Sequence, residues 1–217
     1  MLKSNNLYLG DCLDLLAKIE DQTIDLVFLD PPYNLQLNKV LTRPNHSIVN
    51  GVNQDWDKFD SYSSYDDFTL SYLTECKRVL KPDGGLWIIG SYHNIFRIGK
   101  ILQDLNFWIL NDVIWAKSNP LPNFRATRLT NAHETLIWCS KKPKSKYQFN
   151  YHTLKVANED RQERSIWNFP ICSGKERLKN NKKQTAHPTQ KPLALMKKII
   201  IQLSLIHISE PTRRIHI

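Results

Sequence analysis

No apolar run in this 217-residue chain is long enough to span a bilayer. The opening stretch, MLKSNNLYLGD, lacks the charged-then-apolar pattern of an export signal. These absences argue against a membrane or exported protein and leave the cytoplasm as the expected compartment. Cysteine is scarce too. The four, Cys12, Cys76, Cys139 and Cys172, are scattered and form no C-x-x-C pair. That spacing suggests neither a disulfide framework nor a zinc site. Each cysteine lies beside apolar residues, which predicts reduced core thiols. No internal repeat or low-complexity tract interrupts the chain.

What is present is ordinary in bulk and unusual in charge. Hydrophobic residues make up 41% and charged residues 24%, enough for one domain with its own core. Lys and Arg number 30 against 21 Asp and Glu, a formal net charge of +9. That balance favours a polyanionic partner, nucleic acid first. Two basic runs, KKPKSK (141–146) and GKERLKNNKK (174–183), read as solvated loops, with phosphate contact as the alternative.

NLYLGD reads as a short strand ending at Gly10-Asp11, and CLDLLAKI follows with helical spacing at Cys12, Leu15, Leu16 and Ile19. TIDLVFLD is a continuous apolar run, the pattern of a strand buried on both faces. Residues 34–60 carry little periodicity and read as a long binding loop. SYDDFTLSYLTECKRVLKPDGG predicts a helix capped by Ser64, with Phe68, Tyr72, Leu73, Cys76, Val79 and Leu80 inward. LWIIG, FWILNDVIWAK and HETLIWCS read as strands, and NIFRIGKILQDLN as a helix. This alternation predicts an α/β domain with a mainly parallel sheet.

One strand ends abruptly in Asp30-Pro31-Pro32-Tyr33. Prolines lack N–H donors and fix φ, so the ladder stops there and the turn is stiff. Ligands of open α/β sheets bind beyond the carboxyl ends of strands, where Asp30 stands. Its carboxylate and the Pro31 carbonyl can aim together at one NH₂ group, while Tyr33 offers a face for stacking. Such a set suits an amino group on a planar heterocycle, such as adenine N6. Two acceptors on its hydrogens favour a pyramidal, nucleophilic nitrogen. A second stretch, AHPTQKPLALMKKIIIQ (186–202), gathers His187, Thr189, Gln190 and Lys191 ahead of a helix opened by Pro192. A helix start of this kind welcomes an anionic group.

The two stretches together resemble the β-class DNA amino-methyltransferases, which pair a D-P-P-Y turn with a later H-P-T-Q-K-P segment. DWDKF, LWIIGSYHNIFRIG, ILNDVIWAKSNPLPNF, TNAHETLIW and FPICSGKERLK look most like the cell-cycle-regulated adenine enzymes that act within GANTC. The resemblance covers nearly all of residues 1–202 and implies a Rossmann-like fold dependent on S-adenosylmethionine. It implies that Asp30, Pro31, Pro32 and Tyr33 grip an adenine flipped out of double-stranded DNA, since N6 is otherwise stacked and paired. It assigns Asp11, Asp30, His187, Thr189, Gln190 and Lys191 to the cofactor, with Asp11 at its adenine end. Target recognition falls to about residues 117–132, with the 34–58 loop as a further candidate; in the former, Asn123, Arg125 and Arg128 face DNA as base readers or as phosphate contacts. His93 and His133 are expected to support the site rather than catalyse. The expected setting is the nucleoid, and a homodimer is one arrangement the reading allows. Cytosine-N4 methylation and a DNA-binding fragment without catalysis are the rival readings.

The chain departs from that family after Gln202. A glycine-rich turn, roughly D-P-F-x-G-S-G, and its flanking strands are absent. LSLIHISEPTR instead looks like the translation of a transposase sequencing adapter. Residues 1–202 are therefore expected to be a partial catalytic domain and 203–217 a read-through tail. Without Glu210, Arg213 and Arg214 the charge moves only from +9 to +8. In this fold the missing segment lies mid-sheet, so the fragment is expected to be incomplete and inactive. Each orphaned buried backbone group would cost roughly 1–3 kcal/mol.

Overall fold

The computed structural model describes residues 2–35, 41–42, 48–49, 55–123, 126–187 and 189–203. In chain order the elements are α1 (Cys12–Leu16), β1 (Ile24–Leu29), β2 (Leu41–Thr42), β3 (Ile48–Val49), α2 (Tyr62–Val79), β4 (Leu80–Gly90) and α3 (Ile95–Asp104). β5 (Trp108–Lys117), β6 (His133–Ser140), α4 (Tyr151–Ala157), β7 (Ile166–Phe169) and α5 (Leu193–Leu203) complete them. Most of the predicted binding loop over 34–60 lies outside the described residues; β2 and β3 pair within it as a small antiparallel ribbon.

The main sheet has the strand order β1-β4-β6-β5-β7. β1 runs parallel to β4 and β5 parallel to β7, whereas β6 pairs antiparallel with both β4 and β5. Four strands therefore point one way and β6 alone is reversed. The expected α/β fold is observed, with a mixed sheet of mostly parallel sense.

Alternation along the strands builds two cores. Leu86 and Ile88 of β4, with Ile137 and Cys139 of β6, face α2 and α3, where Tyr72, Leu73, Cys76, Ile98 and Leu102 close over them. Trp87 and Ile89 point the other way, with Trp115, Leu136, Trp138 and Trp167, onto Leu195, Ile199 and Leu203 of α5. Trp87 and Trp138 stack at 5.6 Å and 5°. The result is helix, sheet, helix in three layers.

Four local expectations are corrected. The cap of α2 is Ser61, not Ser64; Ser64 closes the capping box by bonding back to Ser61. The stretch before Asp11 forms no strand, and Leu7 and Leu9 are fully exposed. β1 is half-buried rather than buried on both faces, because it ends the sheet among the described residues. Cys12 is exposed, since α1 packs on the α2–α3 core through Leu13 and Leu16 instead. α4 and β7 carry no pattern strong enough to have been read from sequence. Arg78 of α2 secures α1, donating to the Leu16 and Ile19 carbonyls at 2.8 Å each.

α5 offers a direct check on the layer assignment. Leu195→Ala, at a side chain with no exposure, should lose about 2–4 kcal/mol of stability. Leu193→Ala, on the exposed side of the same helix, should lose under about 0.5 kcal/mol. Urea denaturation of both variants measures the contrast, and equal losses would refute the packing of α5 on the tryptophan face.

Candidate active site

The Asp30–Tyr33 turn leaves the carboxyl end of β1, as expected, and five other parts of the chain hold it. With no N–H on Pro31 or Pro32, the first free amides belong to Tyr33, Asn34 and Leu35. All three donate to the buried carboxylate of Asp57: Tyr33 and Asn34 to Oδ1 at 2.6 and 2.9 Å, Leu35 to Oδ2 at 3.0 Å. Asn34 adopts a left-handed φ of 53°, which lets the chain curl around that carboxylate. The Pro32 carbonyl accepts from Tyr65 Oη of α2 at 3.0 Å and from Asn94 Nδ2 at 3.3 Å. Asn94 opens α3 and sits so tightly under the end of β4 that a Cβ on Gly90 would come within 2.7 Å of its Oδ1. Among the described residues no hydrogen bond takes the Pro31 carbonyl, which leaves that oxygen available as an acceptor.

The other two holds are charged. Tyr33 Oη donates to Glu134 Oε2 at 2.8 Å. Lys191 Nζ pairs with Asp30 at 2.9 Å, lies 4.0 Å from Glu134 Oε2, and stands 5.0 Å over the Tyr33 ring. Lys117 Nζ binds the other Glu134 oxygen at 2.8 Å. Two carboxylates and two ammonium groups thus meet at one end of the sheet. Burial raises the Asp30 pKa above the ordinary carboxylate value, and repulsion from Glu134 adds to that, while Lys191 pulls it down. Burial first, then Asp30 and Glu134, hold the Tyr33 phenol well above its usual pKa, so it stays a neutral donor.

These residues open onto a cavity of about 330 Å³ lined by Asp30, Pro31, Pro32, Tyr33, Leu35, Trp56, Asp57, His187 and Thr189. Trp56 stacks on His187 at 6.0 Å and 22° across it. Of the residues predicted for the site, the turn, His187 and Thr189 share this lining. Lys191 braces it from behind, and Gln190 turns away to bind Leu178 N at 2.9 Å and Glu176 O at 3.0 Å. The start of α5 is already served, because Leu193 N donates to Glu176 Oε1 at 2.5 Å. Asp11 stands outside the lining and caps α1, accepting from Leu13 N at 2.8 Å. Asn123 Nδ2 donates to the Arg128 carbonyl at 3.0 Å, and Arg128 Nη1 to Tyr92 Oη at 2.9 Å, both on the surface. Arg125 lies outside the described residues.

Sequence reasoning missed Asp57, Glu134, Lys117, Tyr65 and Asn94. All five stood within stretches already singled out, but none was assigned to the turn.

A family model described as DNA methylase, spanning the N6 and N4 enzymes, matches residues 24–206. The chain belongs to the N6/N4 DNA methylase family. It is similar to the Type II methyltransferase M.HinfI of Haemophilus influenzae, 51% identical over 200 residues, which cover 92% of this chain and 56% of that protein. The chain therefore spans little more than half the length of that relative. Among solved structures, the M1.HpyAVI–SAM complex is 25% identical with a TM-score of 0.57, over 90% of this chain and 75% of that one. The cytosine-N4-specific PvuII DNA methyltransferase shares the fold, with a TM-score of 0.64 at 19% identity over 91% of this chain and 69% of that one. S-adenosylmethionine is the cofactor of this family.

The Asp57 clamp makes a measurable claim. Asp57→Ala strands three amides, one of them on a buried residue, and should cost about 2–4 kcal/mol. Asp57→Asn keeps one acceptor oxygen and should cost less. Thermal or urea unfolding checks both; a loss below about 0.5 kcal/mol for the alanine variant would show that the turn does not depend on this carboxylate.

Proposed function

We propose that the site is that of a DNA amino-methyltransferase acting on adenine N6, within GANTC. The observation that carries this reading is the pairing of an ionisable carboxylate, Asp30, with an unengaged carbonyl, Pro31, beside the Tyr33 ring. Adenine N6 presents two hydrogens and a flat base. The carboxylate and the carbonyl take one hydrogen each, and the ring takes the base face. Base flipping is required for that contact. S-adenosylmethionine supplies an electrophilic methyl group. His187, Thr189 and Asp30 are the lining residues suited to its charged methionine end, since they offer both donors and an anion. Asp11 is assigned to the adenine end from the resemblance.

The net charge of +9 supports a DNA partner, and Asn123, Arg125 and Arg128 are the proposed readers. The M.HinfI likeness favours a restriction–modification setting over a cell-cycle one. Cytosine N4 is the second reading, because it too is an exocyclic amine and the fold is shared with the PvuII enzyme.

Nucleoside mass spectrometry decides the base. DNA from cells expressing the longest reading frame that contains residues 1–202 should carry N6-methyladenine confined to GANTC. N4-methylcytosine without N6-methyladenine would overturn the choice of adenine, and neither product would overturn the methyltransferase reading. The 217-residue chain by itself, with β1 at the sheet edge and Leu7 and Leu9 in solvent, should bind S-adenosylmethionine weakly. Micromolar affinity by calorimetry would refute that.

A further inference from the structure

Glu134 has no role in the reading above, yet it meets the Tyr33 phenol and both lysines of the site. It accepts from the Tyr33 phenol at 2.8 Å, pairs with Lys117 at 2.8 Å and lies 4.0 Å from Lys191. Its side chain is only 12% exposed and that of Lys191 only 9%. Lys191 meanwhile bonds both Asp30 oxygens, at 2.9 and 3.0 Å. Two bonds from an ammonium group leave a lone pair on each Asp30 oxygen, so a substrate amine can still be accepted there. The paired positive charge nevertheless weakens the carboxylate as a base, and it is relieved only if the buried lysine shifts toward another anion. Glu134 Oε2 is that anion, about 1 Å beyond hydrogen-bonding reach.

We propose that Glu134 is a positioning residue of the methyl transfer: it orients Tyr33 through the phenol and is the second seat to which Lys191 passes, freeing Asp30 for the substrate amine. This rests on the amino-methyltransferase reading. The amine's lone pair forms the new N–C bond, while the methyl group's former bond leaves its electron pair on sulfur. The nitrogen then carries a positive charge and sheds one proton, to the Asp30 carboxylate and on to water. An Asp30 released from Lys191 is the stronger base for that step. The groups facing Asp30 are Lys191, Glu134 and Tyr33. Lys117 stands behind Glu134, and Asp57 and His187 lie elsewhere in the same lining.

The test has one arm that needs no catalysis. Carboxyl-carbon NMR on the 217-residue chain follows the titration of Asp30 directly. Glu134→Gln removes a nearby negative charge and leaves Lys191 wholly to Asp30, so the Asp30 pKa should fall. Lys191→Met should raise it, and covers the case in which Glu134→Gln does not fold. An Asp30 pKa unmoved by both variants would sink the proposal whatever the chain does to DNA. The second arm applies to a chain that methylates. Glu134→Gln should lower kcat at neutral pH at least tenfold with KM for DNA within twofold, and Glu134→Asp should recover part of the loss. Transfer at the parent rate by Glu134→Gln would overturn the proposal. A parent chain without methyl transfer would instead strike the functional reading and leave the titration arm standing.

Discussion

Two successive prolines at the end of β1 leave the turn without an amide of its own until Tyr33, and the architecture of the site follows from that lack. A stiff turn is useful only if its exit is fixed as well as its start. The covalent rings fix the start. The exit is fixed by Asp57, which gathers three consecutive amides on one carboxylate. A single anion collecting successive N–H groups works as a helix N-cap does, satisfying donors that no strand can reach. Tyr65 and Asn94 then hold the Pro32 carbonyl. The Pro31 oxygen is the one left over. The turn is held on both sides of that oxygen, by Lys191 at Asp30 and by Tyr65 and Asn94 at Pro32, which is what preorganisation requires.

The reversed strand explains how the charges converge. In a wholly parallel sheet, side chains reach the functional end only from the last residues of each strand. β6 runs the other way, so it contributes its first residues there. Glu134 pairs in register with Trp115, and His133 with Ala116 next to Lys117. The end of β5 and the beginning of β6 thereby deliver a lysine and a glutamate side by side, across from Asp30 at the end of β1. Lys191 arrives from the segment leading into α5. No two of these residues are close in sequence, and only the topology makes them one ionic group.

That topology also sets what was legible in the sequence. The strand ending at Asp30, α3, β5 and β6 all show in the apolar pattern, because each buries a regular face. The turn itself is readable because proline states its own geometry. Asp57 is not readable as a clamp, since a carboxylate in a polar loop looks like any solvated acid. Glu134 is hidden for a different reason: its role depends on β6 being antiparallel, and period-two alternation is blind to strand direction. The edge position of β1 does not show in its apolar composition, which describes a central strand, while its neighbours among the described residues make it a border. Asp11, a conspicuous acid after a glycine, also caps α1, a role its spacing to Leu13 and Asp14 could have shown.

Placing four charges at the edge of a cavity is costly unless each is paired, and here the pairing is shared rather than exclusive. Among the described residues Lys117 pairs only with Glu134, but Lys191 stands between two acids. An exclusive Lys191–Asp30 pair would drive the Asp30 pKa down and leave a weak base locked in a salt bridge. Burial outweighs the lysine, repulsion from Glu134 adds a smaller part, and the Asp30 pKa lies above its ordinary value. The same glutamate orients the Tyr33 phenol, which burial first and the two acids second keep neutral. Burial and the crowding of two acids together thus hold the Asp30 carboxylate nearer to accepting a proton than an exposed aspartate would be.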